Sequence, residues 1–185
     1  MVEVKLHIGC GKRCLNGYFH IDICDFKHID YKHDGRTLPM FKNNSVDLIY
    51  SSHMLEYFDR FEVVDVLREW FRVLKKGGIL RVAVPNFESL VRVYLQTKNL
   101  QFILGPFYGR WPINDHLIIY HKTIYDYNSL KDLLGFIGFR NIKKWDWRKV
   151  FTGKNKRYDD YSQAYFPHMD KDHGLLISLN VEAKK

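Results

Sequence analysis

Two kinds of hydrophobic pattern alternate along the chain. Residues 4–8 and 18–23 are short β-type runs, the first leading into Gly9-Cys10-Gly11 and the second reaching Asp22 near its end. Too few residues separate them for a full helix, so the first crossover helix is expected to be reduced to a turn or absent. Residues 46–50 form a third strand candidate, entered through the turn-forming Asn43-Asn44-Ser45. The period then changes. Between Asp59 and Lys76, the apolar Val63, Leu67, Trp70, Phe71 and Leu74 recur at helical spacing, and Glu62, Asp65, Arg68, Glu69 and Arg72 take the opposite face. Asp59 followed by Glu62 resembles a capping box, and Gly77-Gly78 stops the helix.

Residues 79–84 read as a buried strand closed by Pro85, and residues 88–96 as a further helix. Residues 98–121 hold Gly105, Pro106, Gly109 and Pro112 and are expected to be irregular. Residues 126–137 carry a Leu130, Leu133, Leu134 stripe ended by Gly138. The last two strand candidates, 142–147 and 175–182, flank a polar, aromatic stretch over 151–172 that is a candidate lid. Strands alternating with helices imply βαβ units and a mostly parallel sheet. In such sheets ligands bind beyond the carboxyl ends of the strands. The positions of interest are therefore Gly9 to Gly11, Asp22, Ser51 to His53 and Pro85 to Phe87.

Composition narrows the partners. With 185 residues, 46% hydrophobic and 27% charged, the chain suits one globular domain. The net charge of +8 favours an anionic partner: a nucleic acid, a phosphorylated sugar or a charged polymer. Its densest basic stretch, Lys154, Lys156 and Arg157, runs straight into Asp159 and Asp160, so nucleic acid stays open as a partner without being indicated. An odd set of three cysteines, Cys10, Cys14 and Cys24, argues for a reducing compartment. Cys10 and Cys14 with His7 and His20 do not match paired zinc spacings, and no metal is expected. Glu3 and Lys5 interrupt the first apolar residues, and no apolar run is long enough for a bilayer. A cytoplasmic protein without a membrane span is expected; its oligomeric state is not legible.

Glycines after a first strand let backbone approach a ligand, and a carboxylate ending the second strand can accept both hydroxyl hydrogens of a ribose. In this setting LHIGCGKRCLNGYFHIDI, DGRTLPMFKNNSVDLIYSSHMLEYF, FRVLKKGGILRVAVPNF and HKTIYDYNSLKDLLGFIGF, with SLNVEAKK at the end, together resemble the class I S-adenosylmethionine-dependent methyltransferases, in the small branch related to the type 11 domain. The resemblance covers nearly the whole chain. It implies one domain over 1–185 with a Rossmann-like, mostly parallel seven-stranded sheet, helices on both faces and the last strand antiparallel. It implies S-adenosyl-L-methionine as cofactor, with Gly9, Cys10 and Gly11 facing its methionine and ribose portion. Asp22 would hold the ribose hydroxyls and Ile23 flank the adenine. Asp34 would accept from the adenine amino group with Gly35 beside it, and Ser51, Ser52 and His53 would border the methionine end. His53 and Glu56 fall where such enzymes turn from the fourth strand into the next helix.

Three positions depart from the family. His7 stands where an acid often precedes the glycines, Arg13 replaces a third glycine, and Asn86 replaces the Asp that often follows Pro at the fifth strand's end. Methyl transfer asks the protein to align nucleophile, methyl and sulfur, and a hydroxyl acceptor gains from a nearby base. His53, His116 and His121 are the candidate bases, and Trp111, Tyr120 and Tyr125 candidate walls of the acceptor pocket. The positive charge and aromatic insert suit a saccharide hydroxyl as acceptor, in polysaccharide synthesis by analogy, with RNA or a small metabolite as runner-up. A cofactor-binding protein without turnover and a nucleotide-sugar or dinucleotide enzyme are the competing classes. Against the latter, the first loop lacks a G-x-G-x-x-G opening a helix.

Overall fold

In the computed structural model, which describes residues 3–185, the strands before the first long helix are β1 (Lys5–Ile8), β2 (Phe19–Asp22), β3 (Tyr31–Lys32) and β4 (Val46–Ser52). Then come α1 (Glu62–Val73), β5 (Leu74–Pro85), α2 (Phe87–Thr97) and α3 (Gln101–Tyr108). A hairpin of β6 (Trp111–Asn114) and β7 (Leu117–Ile119) leads to α4 (Tyr127–Ile137) and β8 (Arg140–Lys144). The chain closes with a single turn, α5 (Trp147–Val150), the short pair β9 (Tyr165–Phe166) and β10 (Leu175–Leu176), and β11 (Ser178–Lys184). The first two residues of the domain expected over 1–185 lie outside the described residues.

Seven strands form one sheet in the order β3-β2-β1-β4-β5-β11-β8. All neighbours run parallel except β11, which is antiparallel to both β5 and β8. This is the Rossmann-like order with a reversed last strand. Side chains alternate across it as the pleat requires. Leu6, Ile8, Ile49, Leu80, Val82 and Val84 face α1 and α4, where Val63, Leu67, Trp70, Leu130 and Leu134 complete the main core. Asp59 and Glu62 exchange backbone and side-chain hydrogen bonds at 2.9 Å each, the capping box read from the sequence. The helix nevertheless ends at Val73, earlier than Gly77: Leu74 turns to extended backbone (φ −62°, ψ 139°) and starts β5.

The opposite face is covered differently. No helix joins β1 to β2, and the long helices α1 and α4 share the first face. On the second face, Trp145, Phe151 and Tyr158 of the C-terminal segment pack on Leu48, Tyr50, Ala83 and Leu15. The Tyr50 hydroxyl donates to buried Asp160 at 2.5 Å, tying the C-terminal segment down. The segment expected as a lid over 151–172 is thus anchored to the sheet in its first half, because the sheet face left bare by the missing helix has to be buried. The stretch 98–121, expected to be irregular, holds α3 and the hairpin instead. Phe107 and Ile103 pack against Leu90 and Val93 of α2, so tertiary burial overrides the local glycines and prolines. Among the described residues, no helix is long and apolar enough to cross a membrane. All three cysteines are free.

His7 and His20 are buried under this aromatic cover, their rings 5.6 Å apart. Burial, aided by the neighbouring histidines, holds His7 well below its usual pKa. Burial also lowers His20, against the opposing hydrogen bond that its ring donates to Asp30. Below about pH 6.5 the unfolded chain then binds protons that the native chain refuses, so stability is present at neutral pH and lost as pH falls. Each such histidine contributes about 1.4 kcal/mol per pH unit in that window. Urea unfolding should give a lower midpoint at pH 5.5 than at 7.5, with a shallower slope for His7→Asn. An identical pH slope in the variant would remove His7 from the account.

Candidate active site

The carboxyl ends of β1, β2, β4 and β5 meet at one edge of the sheet. Gly9 (φ +67°) and Gly11 (φ +54°) turn the chain after β1 in a left-handed conformation that favours glycine. Asp22 closes this turn: Oδ2 accepts from Gly11 N–H and Oδ1 from Cys24 N–H, both at 2.8 Å. Each oxygen keeps a further lone pair. Cys10, between the glycines, is buried, and desolvation pushes its thiol up to about 12, so it is no thiolate nucleophile.

Beyond this turn lies a cleft of about 670 Å³, bounded by Lys12, Ile23, Cys24, Asp25, Phe26 and Lys32 on one side and by the β6–β7 hairpin on the other. The Trp111 ring edge comes within 3.6 Å of where a Gly11 Cβ would stand. The insert therefore covers the glycine turn at Gly11, while the 151–172 segment bonds the loop that follows it, at Arg13 and Asn16. Lys32 pairs with Asp25 at 3.1 Å, and Lys12 has no ion-pair partner among the described residues.

Gly9 and Gly35 share a different neighbour. A Cβ on Gly9 would stand 2.5 Å from Met54 Sδ, and one on Gly35 would overlap Ile8 and Met54. Ser51 Oγ also faces Met54 Sδ, at 3.7 Å. So Gly9, Gly35 and Ser51 converge on Met54 at the edge of the glycine turn, and at Gly9 the small residue serves packing as well as backbone conformation. Asp34 is half-exposed and holds its own turn, accepting from Arg36 N–H at 2.9 Å and from the Arg36 guanidinium at 2.7 Å. It does not line the cleft, although Ile23 does.

The end of β4 builds a third group. His53 takes φ +53°, a strained conformation for a residue with a side chain. Its Nδ1 lies 3.3 Å from Glu56 Oε1 and its Nε2 3.1 Å from Ser178 Oγ. His121 Nε2 lies 3.8 Å from the same Glu56 oxygen. Glu56 has no exposed surface, and neither of its oxygens has a hydrogen-bond partner. Ser52 Oγ, Asn86 Oδ1 and the Tyr125 hydroxyl nearby are likewise buried without partners. His116 is not part of this group. It stands exposed on the hairpin turn, where its backbone N–H bonds Asn114, because the 111–119 stretch folds back as a hairpin and carries the turn outward. Tyr120 is half-exposed, Trp111 lines the cleft, and Tyr125 is buried against the main core. Sequence reasoning missed Met54, Ser178, Lys12 and Lys32. Lys12 follows Gly11 directly and was open to detection; Ser178 reaches the site only through the antiparallel return of β11.

Comparisons with known proteins bear on the fold. Residues 18–82 match a family model described as a methyltransferase domain. No curated protein matches the chain. Among solved structures, a SAM-dependent methyltransferase from Archaeoglobus fulgidus is 18% identical, with a TM-score of 0.57 over 99% of this chain and 86% of that one. An S-adenosylmethionine-dependent methyltransferase from Mesorhizobium loti is 14% identical, with a TM-score of 0.53 over 100% and 92%. A Burkholderia thailandensis 1,6-didemethyltoxoflavin-N1-methyltransferase, solved with its substrate and S-adenosylhomocysteine, is 10% identical, with a TM-score of 0.56 over 98% and 70%. The structural likeness carries the fold, and the domain match spans residues 18–82. The chain shares the fold of the S-adenosylmethionine-dependent methyltransferases, and its residues 18–82 are similar to a methyltransferase domain. The residues present fit that cofactor: a strand-end carboxylate with lone pairs to spare, a glycine turn at its side and a cleft sized for a nucleoside.

Gly9→Ala tests the packing. It adds a methyl against Met54 and forces a positive φ, an expected loss of about 2–4 kcal/mol in urea unfolding, partly recovered by a second Met54→Ala change. A loss below about 0.5 kcal/mol would show that the turn relaxes freely.

Proposed function

We propose that the enzyme O-methylates a sugar or glycan hydroxyl. The observation that supports this acceptor is the concentration of unpartnered buried polar atoms at the ends of β4 and β5: Ser52 Oγ, both Glu56 oxygens, Asn86 Oδ1 and the Tyr125 hydroxyl. A buried polar group without a partner costs about 1–3 kcal/mol, and a polyhydroxyl ligand offers donors and acceptors to several at once. Unpaired Lys12 beside the cleft suits an acceptor that carries a negative charge.

In this reading Gly9, Cys10 and Gly11 face the methionine and ribose portion of S-adenosylmethionine. Asp22 takes the ribose hydroxyls on the lone pairs its two amide bonds leave free. Ile23 flanks the adenine and Ser51, Ser52 and His53 border the methionine end, while Asp34, bonded to Arg36 outside the cleft, and Gly35, packed on Met54, take no part in the adenine contact. The bound sulfonium supplies an electrophilic methyl group. The chain's own work is alignment, exclusion of water by Trp111 and its hairpin, and removal of the acceptor's proton by His53, with His121 behind it. Burial lowers His121, which keeps it neutral and basic near pH 7 against the opposing pull of Glu56.

Calorimetry with S-adenosylmethionine and S-adenosylhomocysteine tests the cofactor residues. Asp22→Ala should weaken both by about 1.5–3 kcal/mol, roughly 10- to 150-fold; equal affinity in the two proteins removes Asp22 from the site. Transfer of a labelled methyl group should appear on glycan acceptors in a panel that includes RNA and small metabolites. Label on RNA alone, or binding without any turnover, would displace the glycan reading.

A further inference from the structure

The hydrogen-bond network around Glu56 sets the proton positions of its neighbours. Asn180 donates through Nδ2 to the Ser162 carbonyl at 2.9 Å, so its Oδ1 faces Ser178 and accepts the Ser178 hydroxyl, also at 2.9 Å. With its proton so directed, Ser178 Oγ accepts from His53 Nε2. A neutral His53 therefore carries its proton on Nε2 and presents a bare Nδ1 to Glu56. His121 repeats the pattern: its Nδ1 lies 3.0 Å from the Pro106 carbonyl, which can only accept, so a neutral His121 presents a bare Nε2 to the same carboxyl oxygen. Two lone pairs converge on a buried carboxylate that has no donor of its own. That arrangement is repulsive unless a proton sits among the three groups.

The remaining neighbours do not supply one. Lys122 and Thr123 donate their backbone N–H groups to the Glu56 main-chain carbonyl, and Lys122 Nζ is spent on Glu62 at 2.7 Å. Tyr57 packs its ring on His121 at 4.7 Å, Tyr161 lies 5.4 Å from the His53 ring, and the Tyr125 hydroxyl is unpartnered. Burial and Glu56 hold Tyr57 and Tyr125 above the usual phenol range, so both stay neutral.

We propose that Glu56 is a positioning residue that couples His53 and His121 into one proton-sharing centre, with His53 Nδ1 as the atom that receives the acceptor's proton. This rests on the reading of His53 as base given above. His121 Nε2 faces the same carboxyl oxygen as His53 Nδ1, from 3.8 Å. In transfer, the acceptor O–H bond breaks and its electron pair forms the new O–CH3 bond. The methyl–sulfur bond breaks with its pair left on sulfur, and the proton passes to His53 Nδ1. His53 then directs its Nδ1–H at the Glu56 carboxylate, 3.3 Å away. The centre gains one positive charge as the sulfonium loses one, so the buried edge of the sheet sees no net change in charge.

Nitrogen-15 NMR of the histidine rings in the free protein tests the centre without turnover. At pH 7.5 the wild type should show His53 protonated on Nε2 and His121 on Nδ1. Glu56→Gln should lower the His121 titration midpoint by about one pH unit, since the carboxylate raises it. Glu56→Asp should restore at least half of that shift. The opposite tautomers in the wild type, or a His121 midpoint unchanged in Glu56→Gln, would overturn the proposal. The wild-type tautomers decide the matter even where the glutamine variant does not fold. Failure of the base reading is read separately. Full turnover by His53→Ala, with whichever acceptor the panel labels, would remove His53 from chemistry while leaving the NMR coupling intact.

Discussion

A single carboxylate, Asp22, accepts one backbone N–H from the loop after β1 and another from the loop after β2. In a chain with a full first crossover helix, the helix itself would orient the glycine turn. Here ten residues, 9–18, connect the two strands, and the turn stays in place through this charge-assisted bridge. The position of Trp111 over Gly11, and so the roof of the cleft, depends on where Asp22 puts that turn. A ligand that uses the spare lone pairs of Asp22 meets a group already fixed by two amides, so little ordering is left to the moment of binding.

The missing helix has a second consequence, on the other side of the sheet. A parallel sheet needs both faces buried. The C-terminal segment supplies the cover with Trp145, Phe151 and Tyr158 and locks it through the Tyr50–Asp160 bond. That cover lies over β1 at His7, a position at which the methyltransferases that the sequence resembles often carry an acid. An acid here would sit among rings with few donors at hand, whereas a neutral imidazole packs against Tyr50 at 5.2 Å and meets the Tyr158 hydroxyl at 3.4 Å. The departure at His7 and the aromatic cover are therefore one adaptation rather than two.

These relations explain what the sequence disclosed. The strands, α1, α2 and α4, and the shortened first connection were legible because hydrophobic period and turn residues agree with the final burial. β3 was not: two residues, Tyr31 and Lys32, leave no period to read. The α3–hairpin insert was hidden because Gly105, Pro106, Gly109 and Pro112 signal breaks, while the packing of Ile103 and Phe107 on α2 is a tertiary fact. Asp22, Gly11 and Ile23 were singled out by their strand-end positions, and the structure sets all three around one turn and its cleft. Met54 was invisible as a site residue, since an apolar residue in an apolar stretch carries no signal until Gly9 and Gly35 are seen to lean on it. Among the histidines, spacing gave no means of separating His116, on an exposed turn, from His53 and His121, which share a buried carboxylate.

Where the structure leaves its polar atoms unsatisfied is the strongest pointer to chemistry. Buried groups are nearly always paired, so exceptions gathered in one place need a physical reason. Apart from His7 Nδ1, every unpartnered buried side-chain atom among the described residues belongs to Ser52, Glu56, Asn86 or Tyr125. Asn86 and Tyr125 bridge by backbone, His53 holds a strained φ beside Ser52, and Glu56 anchors the chain after the hairpin through its carbonyl. Four chain segments thus bring polar groups to one point without pairing them. A fold selected for stability alone would fill that point with apolar side chains, as it does on the other side of β4 at Leu48 and Tyr50. The cost is tolerable only if something polar completes the set, and the carboxyl edge of β4 and β5 is where a parallel sheet presents its ligand site.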